Sequence, residues 1–243
     1  MARFAAILYA LVAYAAFNGW FLYAIGFLGE WIVPKAINDG PACSLGEALA
    51  VNLGIVLLFA VQHTIMARSR FKQWWTRIIP AGLERSTFVL ITAAILSLLL
   101  WQWRPIPGDL WNIQQPVIAG LLRGLMLLGA LTVLHTTFLI DHWDLVGLRQ
   151  AWAYFKGEAP APPVFKEKSL YRWVRHPMML GMLVWLWATP HMTWSHLLFA
   201  GALTGYVLIG IRVEERSLRQ ELGESYEEYR NRVPMLLPRF HRS

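Results

Sequence analysis

Residues 176–211 read HPMMLGMLVWLWATPHMTWSHLLFAGALTGYVLIGI: 36 positions between Arg175 and Arg212 without one Asp, Glu, Lys or Arg. A helix crosses the hydrocarbon core of a bilayer in roughly 20 apolar residues, so this stretch is too long for one crossing. Thr189-Pro190-His191-Met192-Thr193 interrupts it, and Pro190 breaks a helix because it lacks an N–H and clashes with the preceding turn. The spacing predicts a helical hairpin, 177–190 and 194–212, whose outer ends return to one side of a membrane.

Four more charge-poor runs lie upstream. Residues 4–29 contain no charge at all, and the run exceeds the apolar part of a cleaved signal peptide, so it reads as a retained helix. Residues 48–67 and 86–103 are bounded by Glu47 and Arg68, and by Arg85 and Arg104. Residues 116–140 are interrupted only by Arg123, near enough to one end to snorkel to the headgroups. Six crossings result, and the fold class is an all-α integral membrane bundle. Composition agrees: 56% of the 243 residues are hydrophobic and 15% charged, with mean hydropathy +0.41. A soluble globular chain carries about 25% charged residues, so an ordinary soluble enzyme, a disordered chain and a nucleic-acid binder are excluded. Cys43 is the only cysteine, which excludes an internal disulfide and a cysteine-based metal cluster.

Basic residues assign the sides. Arg68, Arg70, Lys72, Arg77 and Arg85 face Glu84 alone in the 67–86 loop, and the 141–177 loop holds Arg149, Lys156, Lys166, Lys168, Arg172 and Arg175. The 30–47 and 104–115 loops have no basic excess. The net charge of +7 therefore reads as positive-inside bias, with both termini and the two basic loops cytoplasmic, as in a bacterial inner membrane. Trp101, Trp103 and Trp111 fall where an outer aromatic belt belongs. Gly157-Glu158-Ala159-Pro160-Ala161-Pro162-Pro163 reads as a stiff connector strapped across the inner face.

Ionisable groups collect on that inner side, in three patterns. At the end of the fourth span, Asp141-His142-Trp143-Asp144 precedes Arg149-Gln150. His135, Leu139 and His142 lie on one helical face, spaced by four and three residues. The Asp residues can cap the helix or tune His142, which sits near the water interface, whereas His135 reads as a buried hydrogen-bonding residue. In the second pattern, Tyr171-Arg172-Trp173-Val174-Arg175-His176-Pro177, Pro177 suits the first position of a helix, and the first-turn N–H groups with Arg175 make an anion site. The alternative is a plain basic flank before an ordinary helix start. In the third, Glu214-Glu215 leave the membrane and can bind a cationic or hydroxyl-bearing ligand, or merely pair along the helix, as Glu215 with Arg219. Beyond them Leu218, Leu222, Tyr226, Tyr229 and Val233 form a stripe suited to packing or to the interface. An antiparallel hairpin brings His176 and Glu214/Glu215 together, a pocket suited to a zwitterionic cofactor. No H-E-x-x-H spacing or Gly-rich nucleotide loop occurs, so metal and Rossmann-type binding are not expected.

Leu170-Tyr171-Arg172-Trp173-Val174-Arg175-His176-Pro177, then Gly181, Glu214-Glu215, Leu218, Gly223, Tyr226, Tyr229, Val233-Pro234 and Pro238 resemble the isoprenylcysteine carboxyl methyltransferase superfamily over about 70 residues. Phe138 to Gln150, the turn Ala188-Thr189-Pro190-His191-Met192-Thr193, and Pro234-Met235-Leu236-Leu237-Pro238 narrow the likeness to the membrane methanethiol S-methyltransferases, near relatives of NnrU-type proteins. The resemblance implies S-adenosylmethionine (SAM) as cofactor on the cytoplasmic side. Cofactor binding then falls to Arg149, Gln150, Tyr171, Val174, Arg175, His176, Pro177, Met179, Gly181, Glu214 and Glu215. Members often carry Tyr where this chain has Met179, so that hydroxyl contact is either missing or supplied by Tyr171.

The expected reaction is S-methylation of a small thiol, methanethiol to dimethyl sulfide. His142 is the expected base or thiol-orienting group, and Asp141 or Asp144 sets its tautomer. Chain 1–243 reads as a single membrane domain, with a four-helix part over 1–140 and a cofactor-binding region over 141–243 containing hairpin 177–212 and an amphipathic C-terminal helix. Partners are the thiol and membrane lipid, with no nucleic acid and no obligate protein. Three rivals stay open. A lipid amine or prenylcysteine carboxylate could be the acceptor. The Tyr-rich C-terminal pattern also resembles membrane sterol reductases. A non-enzymatic, NnrU-like protein could bind a ligand or haem through His63 and His135.

Overall fold

A computed structural model describes residues 2–159 and 169–238. Lys166, Lys168, Arg239 and the end of the expected connector, 160–163, lie outside the described residues. The helices, in chain order, are α1 (Ala2–Gly29), α2 (Leu45–Met66), α3 (Ser69–Trp75), α4 (Glu84–Gln102), α5 (Pro116–Ile140), α6 (His142–Leu145), α7 (Leu148–Lys156), α8 (Pro177–Trp187), α9 (Trp194–Leu222) and α10 (Glu224–Arg232). Two short strands, β1 (Asp109–Asn112) and β2 (His191–Thr193), complete an all-α integral membrane bundle. Among the described residues α1, α2, α4, α5 and α9 are long and apolar enough to cross a membrane, α4 counted from Ala81. The sixth expected crossing, α8, has 11 residues; at 1.5 Å per residue it rises about 16 Å, half a hydrocarbon core.

Contacts divide the chain into two units, Met1–Pro107 with Asp141–Val164, and Gly108–Ile140 with Phe165–Ser243. In the first unit, α4 packs on α1 and α2, and α7 packs on α1. Ala6, Ala10, Ala13 and Ala24 are buried along α1; without a hydrophobic drive between helices in lipid, small residues allow the close approach that dispersion forces require. Fully buried Asn52 ties down the end of α4 by exchanging two 2.8 Å hydrogen bonds with the Arg104 backbone. The Lys35 ammonium donates to the carbonyls of Trp101 and Trp103, satisfying acceptors that the end of a helix leaves unpaired. Burial lowers its pKa, with Arg104 adding to the effect. Trp103 is wholly buried, so it is a core residue and not part of an aromatic belt, whereas Trp101 and Trp111 are exposed.

In the second unit the helical hairpin is present, but its tip is a strand. β2 pairs antiparallel with β1, Trp111 opposite Met192 and Asn112 opposite His191. The Trp111 indole donates to the Thr189 carbonyl, and the Thr193 side chain caps α9 by accepting from the His196 N–H. Helix α8 therefore stops at Trp187, while α9 runs on to Leu222 because Arg212 to Leu222 keep helical residues beyond the apolar part. α8 lies on α5 at a glycine crossing. A Cβ on Gly181 would stand 2.9 Å from the Gly129 carbonyl oxygen, and one on Gly129 would stand 2.6 Å from the Trp185 nitrogen.

Candidate active site

Two groups of polar side chains carry the candidate chemistry, one in each unit. In the second unit, Pro177 opens α8, where its missing N–H costs no helical bond, and His176 precedes it. The backbone N–H groups of Arg175 and His176 donate to the carbonyls of Pro234 and Met235 at 2.9 and 3.1 Å. Gly223, with φ of 56°, allows the chain to turn from α9 into α10. Tyr226, Tyr229 and Val233 are then buried against Leu218 and Leu222, so the sequence stripe packs as a small apolar core of its own.

The charges sit beside that core. Arg175 donates through Nε to Glu215 Oε1 at 2.8 Å, and its Nη2 lies 2.7 Å from the same oxygen. Its Nη1 donates to the carbonyls of Arg230 and Val233 at 3.1 and 2.7 Å. His176 Nε2 is 3.1 Å from Glu215 Oε1, and its Nδ1 is 3.6 Å from Glu214 Oε2. Arg230 stands 3.9 Å from the second Glu215 oxygen. Glu215 thus pairs with Arg175, His176 and Arg230, not with Arg219, whose own partner is Glu227 at 2.9 Å. Side-chain exposure separates the acidic neighbours: 14% for Glu215 and 50% for Glu214. The Tyr229 hydroxyl donates to the Tyr171 carbonyl at 2.7 Å. Burial pushes the Tyr171 hydroxyl pKa up, with the Glu214 carboxylate adding to it, and burial pushes Tyr226 up to about 12. Both phenols keep their protons at neutral pH. Val174 is buried, Met179 is half-buried in the first turn of α8, and Gly181 lies at the crossing with α5.

His142 belongs to the first unit. Asp141 has extended backbone (φ 178°, ψ 93°), which ends α5 at Ile140. His135, Leu139 and His142 therefore do not share a helical face, and His135 is exposed on α5 instead of buried. The His142 ring is 2% exposed, with Nε2 3.1 Å from the Tyr14 hydroxyl, and the two rings meet edge to face at 5.6 Å. Burial lowers its pKa below the usual imidazole value, and Asp141 opposes that shift. The Asp141 carboxylate caps α6 by accepting from the Asp144 N–H and pairs with Arg149. Gln150 donates to the Asp144 carboxylate at 2.9 Å and to its carbonyl at 3.1 Å. Arg149 and Gln150 thus pin the α6–α7 corner. Arg85 donates to the Leu145 carbonyl at 2.7 Å from α4, and Gly147, with φ of 87°, lies so close that a Cβ would stand 2.6 Å from the Ser86 nitrogen. Tyr14 carried no signal in the sequence, because one Tyr in an apolar run reads as lipid-facing or core. His63 sits between the Phe59 and Phe88 rings. A cavity of about 390 Å³ in the same unit, lined by Gly19, Trp20, Tyr23, Lys35, Ser97, Leu100 and Trp101, includes none of the expected site residues.

The fold and these side chains define a class: a helical integral membrane protein whose last helices gather an Arg, a His and two carboxylates against a C-terminal tyrosine core. The family described as NnrU protein matches residues 52–238, and the chain belongs to that family. It is 51% identical over 238 residues to methanethiol S-methyltransferase 2 of Bradyrhizobium diazoefficiens, covering 98% of this chain and 92% of that one. It is 47% identical over 242 residues to the methanethiol S-methyltransferase of Mycobacterium tuberculosis, covering 100% and 99%. Human nurim is 31% identical over 187 residues, 72% of this chain and 70% of nurim. No solved structure matches.

Proposed function

We propose that the protein methylates methanethiol to dimethyl sulfide, with SAM as donor, on the cytoplasmic side of a bacterial inner membrane. The observation that carries this reading is near-end-to-end identity of 51% and 47% to proteins named for that reaction. The residues fit the cofactor by the chemistry they present. SAM offers an ammonium and ribose hydroxyls, which need an acceptor, and a carboxylate, which needs donors. Glu214 is a half-exposed carboxylate, and the first-turn N–H groups of α8, from Met178 and Met179, are the donors that a helix start leaves unpaired. The protonated Tyr171 hydroxyl near Glu214 adds a donor in place of the one that Met179 lacks.

When bound, the cofactor would supply a sulfonium methyl group electrophilic enough for a thiolate to attack in line, with the thioether S-adenosylhomocysteine as the leaving group. The chain's own part is to hold, orient and deprotonate. Glu214, His176 and the α8 amides fix the donor, and holding two reactants in line supplies much of the rate. The His142 imidazole takes the thiol proton, because the thiolate is the nucleophile. Its lowered pKa keeps it unprotonated, and so able to accept, at neutral pH. Asp141 and Asp144 act on it by holding α6 in place, and Asp141 also by its charge.

Purified protein supplied with methanethiol and methyl-labelled SAM should release labelled dimethyl sulfide. Label in phospholipid or prenylcysteine with none in dimethyl sulfide would overturn the substrate. Thermal protection by NADPH instead of SAM would point to a reductase, and a Soret band to a haem protein.

A further inference from the structure

We infer that Arg175 is a positioning residue, not a cofactor ligand, and that it makes residues 223–238 a seated part of the cofactor site. This rests on the SAM reading above and extends it. Every polar atom of the Arg175 side chain already has a protein partner: Nε and Nη2 meet Glu215, and Nη1 meets the Arg230 and Val233 carbonyls. The side chain is 8% exposed. With four of its five N–H directions taken and its side chain 8% exposed, this guanidinium is poorly placed to receive a ligand carboxylate, whereas Glu214, reached through Glu215 and His176, keeps half its surface open.

The partners divide between two places in the chain. One is Glu215 on α9, which in turn orients His176. The other is the run of carbonyls at the end of α10, where the Arg175 and His176 N–H groups also donate to Pro234 and Met235. Tyr229 closes the arrangement from the far side by donating to the Tyr171 carbonyl. Arg175 therefore clasps the C-terminal segment to the start of α8 and holds Glu215, and through it His176, in one pose. Lifting the segment strips Arg175 of two acceptors and takes Arg230 from Glu215, so the Arg175–Glu215–His176 chain loosens and the Glu214–His176 face loses its geometry without itself being altered.

The experiment uses full-length protein in nanodiscs with Arg175→Lys and Tyr229→Phe, followed by SAM affinity, steady-state kinetics and amide hydrogen exchange. Lys can pair with Glu215 but cannot also reach two carbonyls. Arg175→Lys should weaken SAM binding about tenfold and speed exchange across 224–232 by at least tenfold. It should also raise KM for SAM more than it lowers kcat. Tyr229→Phe should do the same more weakly, by about threefold. Weakened SAM binding with exchange in 224–232 unchanged makes Arg175 a direct ligand and overturns the inference. So does faster exchange with SAM affinity unchanged, since seating would then not matter. If the parent protein itself binds no SAM, the cofactor reading fails, while the exchange comparison still decides whether Arg175 seats the segment.

Discussion

The Glu215 carboxylate accepts from Arg175, faces His176 and lies within reach of Arg230, while Glu214 meets one imidazole nitrogen at 3.6 Å and is half exposed. Their substitutions should therefore separate. Glu215→Gln leaves a buried guanidinium with a neutral partner, and breaking a buried pair costs about 3–5 kcal/mol, so a large fall in Tm is expected. Glu214→Gln should leave Tm near that of the parent and weaken SAM binding about tenfold, as loss of one charge-assisted contact does. Calorimetry and titration on the same samples check both. His142 gives a pH signature. Its folded pKa lies below the unfolded value of 6.5, so between the two the unfolded chain binds the extra proton and folding is disfavoured as pH falls. Stability from this group is complete above pH 6.5 and is lost below it. The acid limb of kcat/KM should likewise lie below pH 6.5, and a limb at or above 7 would remove His142 as the base. The sequence marked Arg175, His176, Glu214 and Glu215 because an antiparallel hairpin must return its ends together. It could not divide their roles, because two of the partners of Arg175 are backbone carbonyls 55 and 58 residues away, which no side-chain pattern encodes.

Elements show the same boundary of legibility. Charge-free length located the long helices, since a bilayer imposes that length on any sequence. Pro190 located the break in the hairpin but not the strand there, because β2 exists only by pairing with β1 some 80 residues earlier. Gly181 drew notice as part of a cofactor motif, and its place in the fold is a close approach of two helices. Gly181→Ala should destabilise by about 1–3 kcal/mol through overpacking against the Gly129 carbonyl and Thr132. Gly201→Ala on α9, where a Cβ meets nothing within 4 Å, should stay within about 1 kcal/mol of the parent, on the stabilising side. Equal effects in thermal unfolding would mean that the α5–α8 crossing is looser than its geometry implies.

At the scale of the whole molecule, the basic loops predict which side each end occupies, and Cys43 is a built-in reporter. It is the only cysteine, lies partly exposed between α1 and α2, and belongs to the loop that the charge bias places outside. A membrane-impermeant maleimide applied to intact cells should label it, and labelling only after the cells are opened would invert the topology. Arg175→Ala in the same cells should abolish dimethyl sulfide release while Cys43 labelling persists, because the charge bias assigns Arg175 to a basic, inner loop and Cys43 to a loop without basic excess.

Residues 223–238 leave the ribosome after every other described part of the protein, yet they supply the carbonyls on which Arg175 closes. Earlier helices can enter the membrane while this grip is still missing. On the proposed reading, a nascent chain therefore has no finished cofactor site before synthesis is nearly done, and a message cut short near its 3′ end should yield an inserted but inert product.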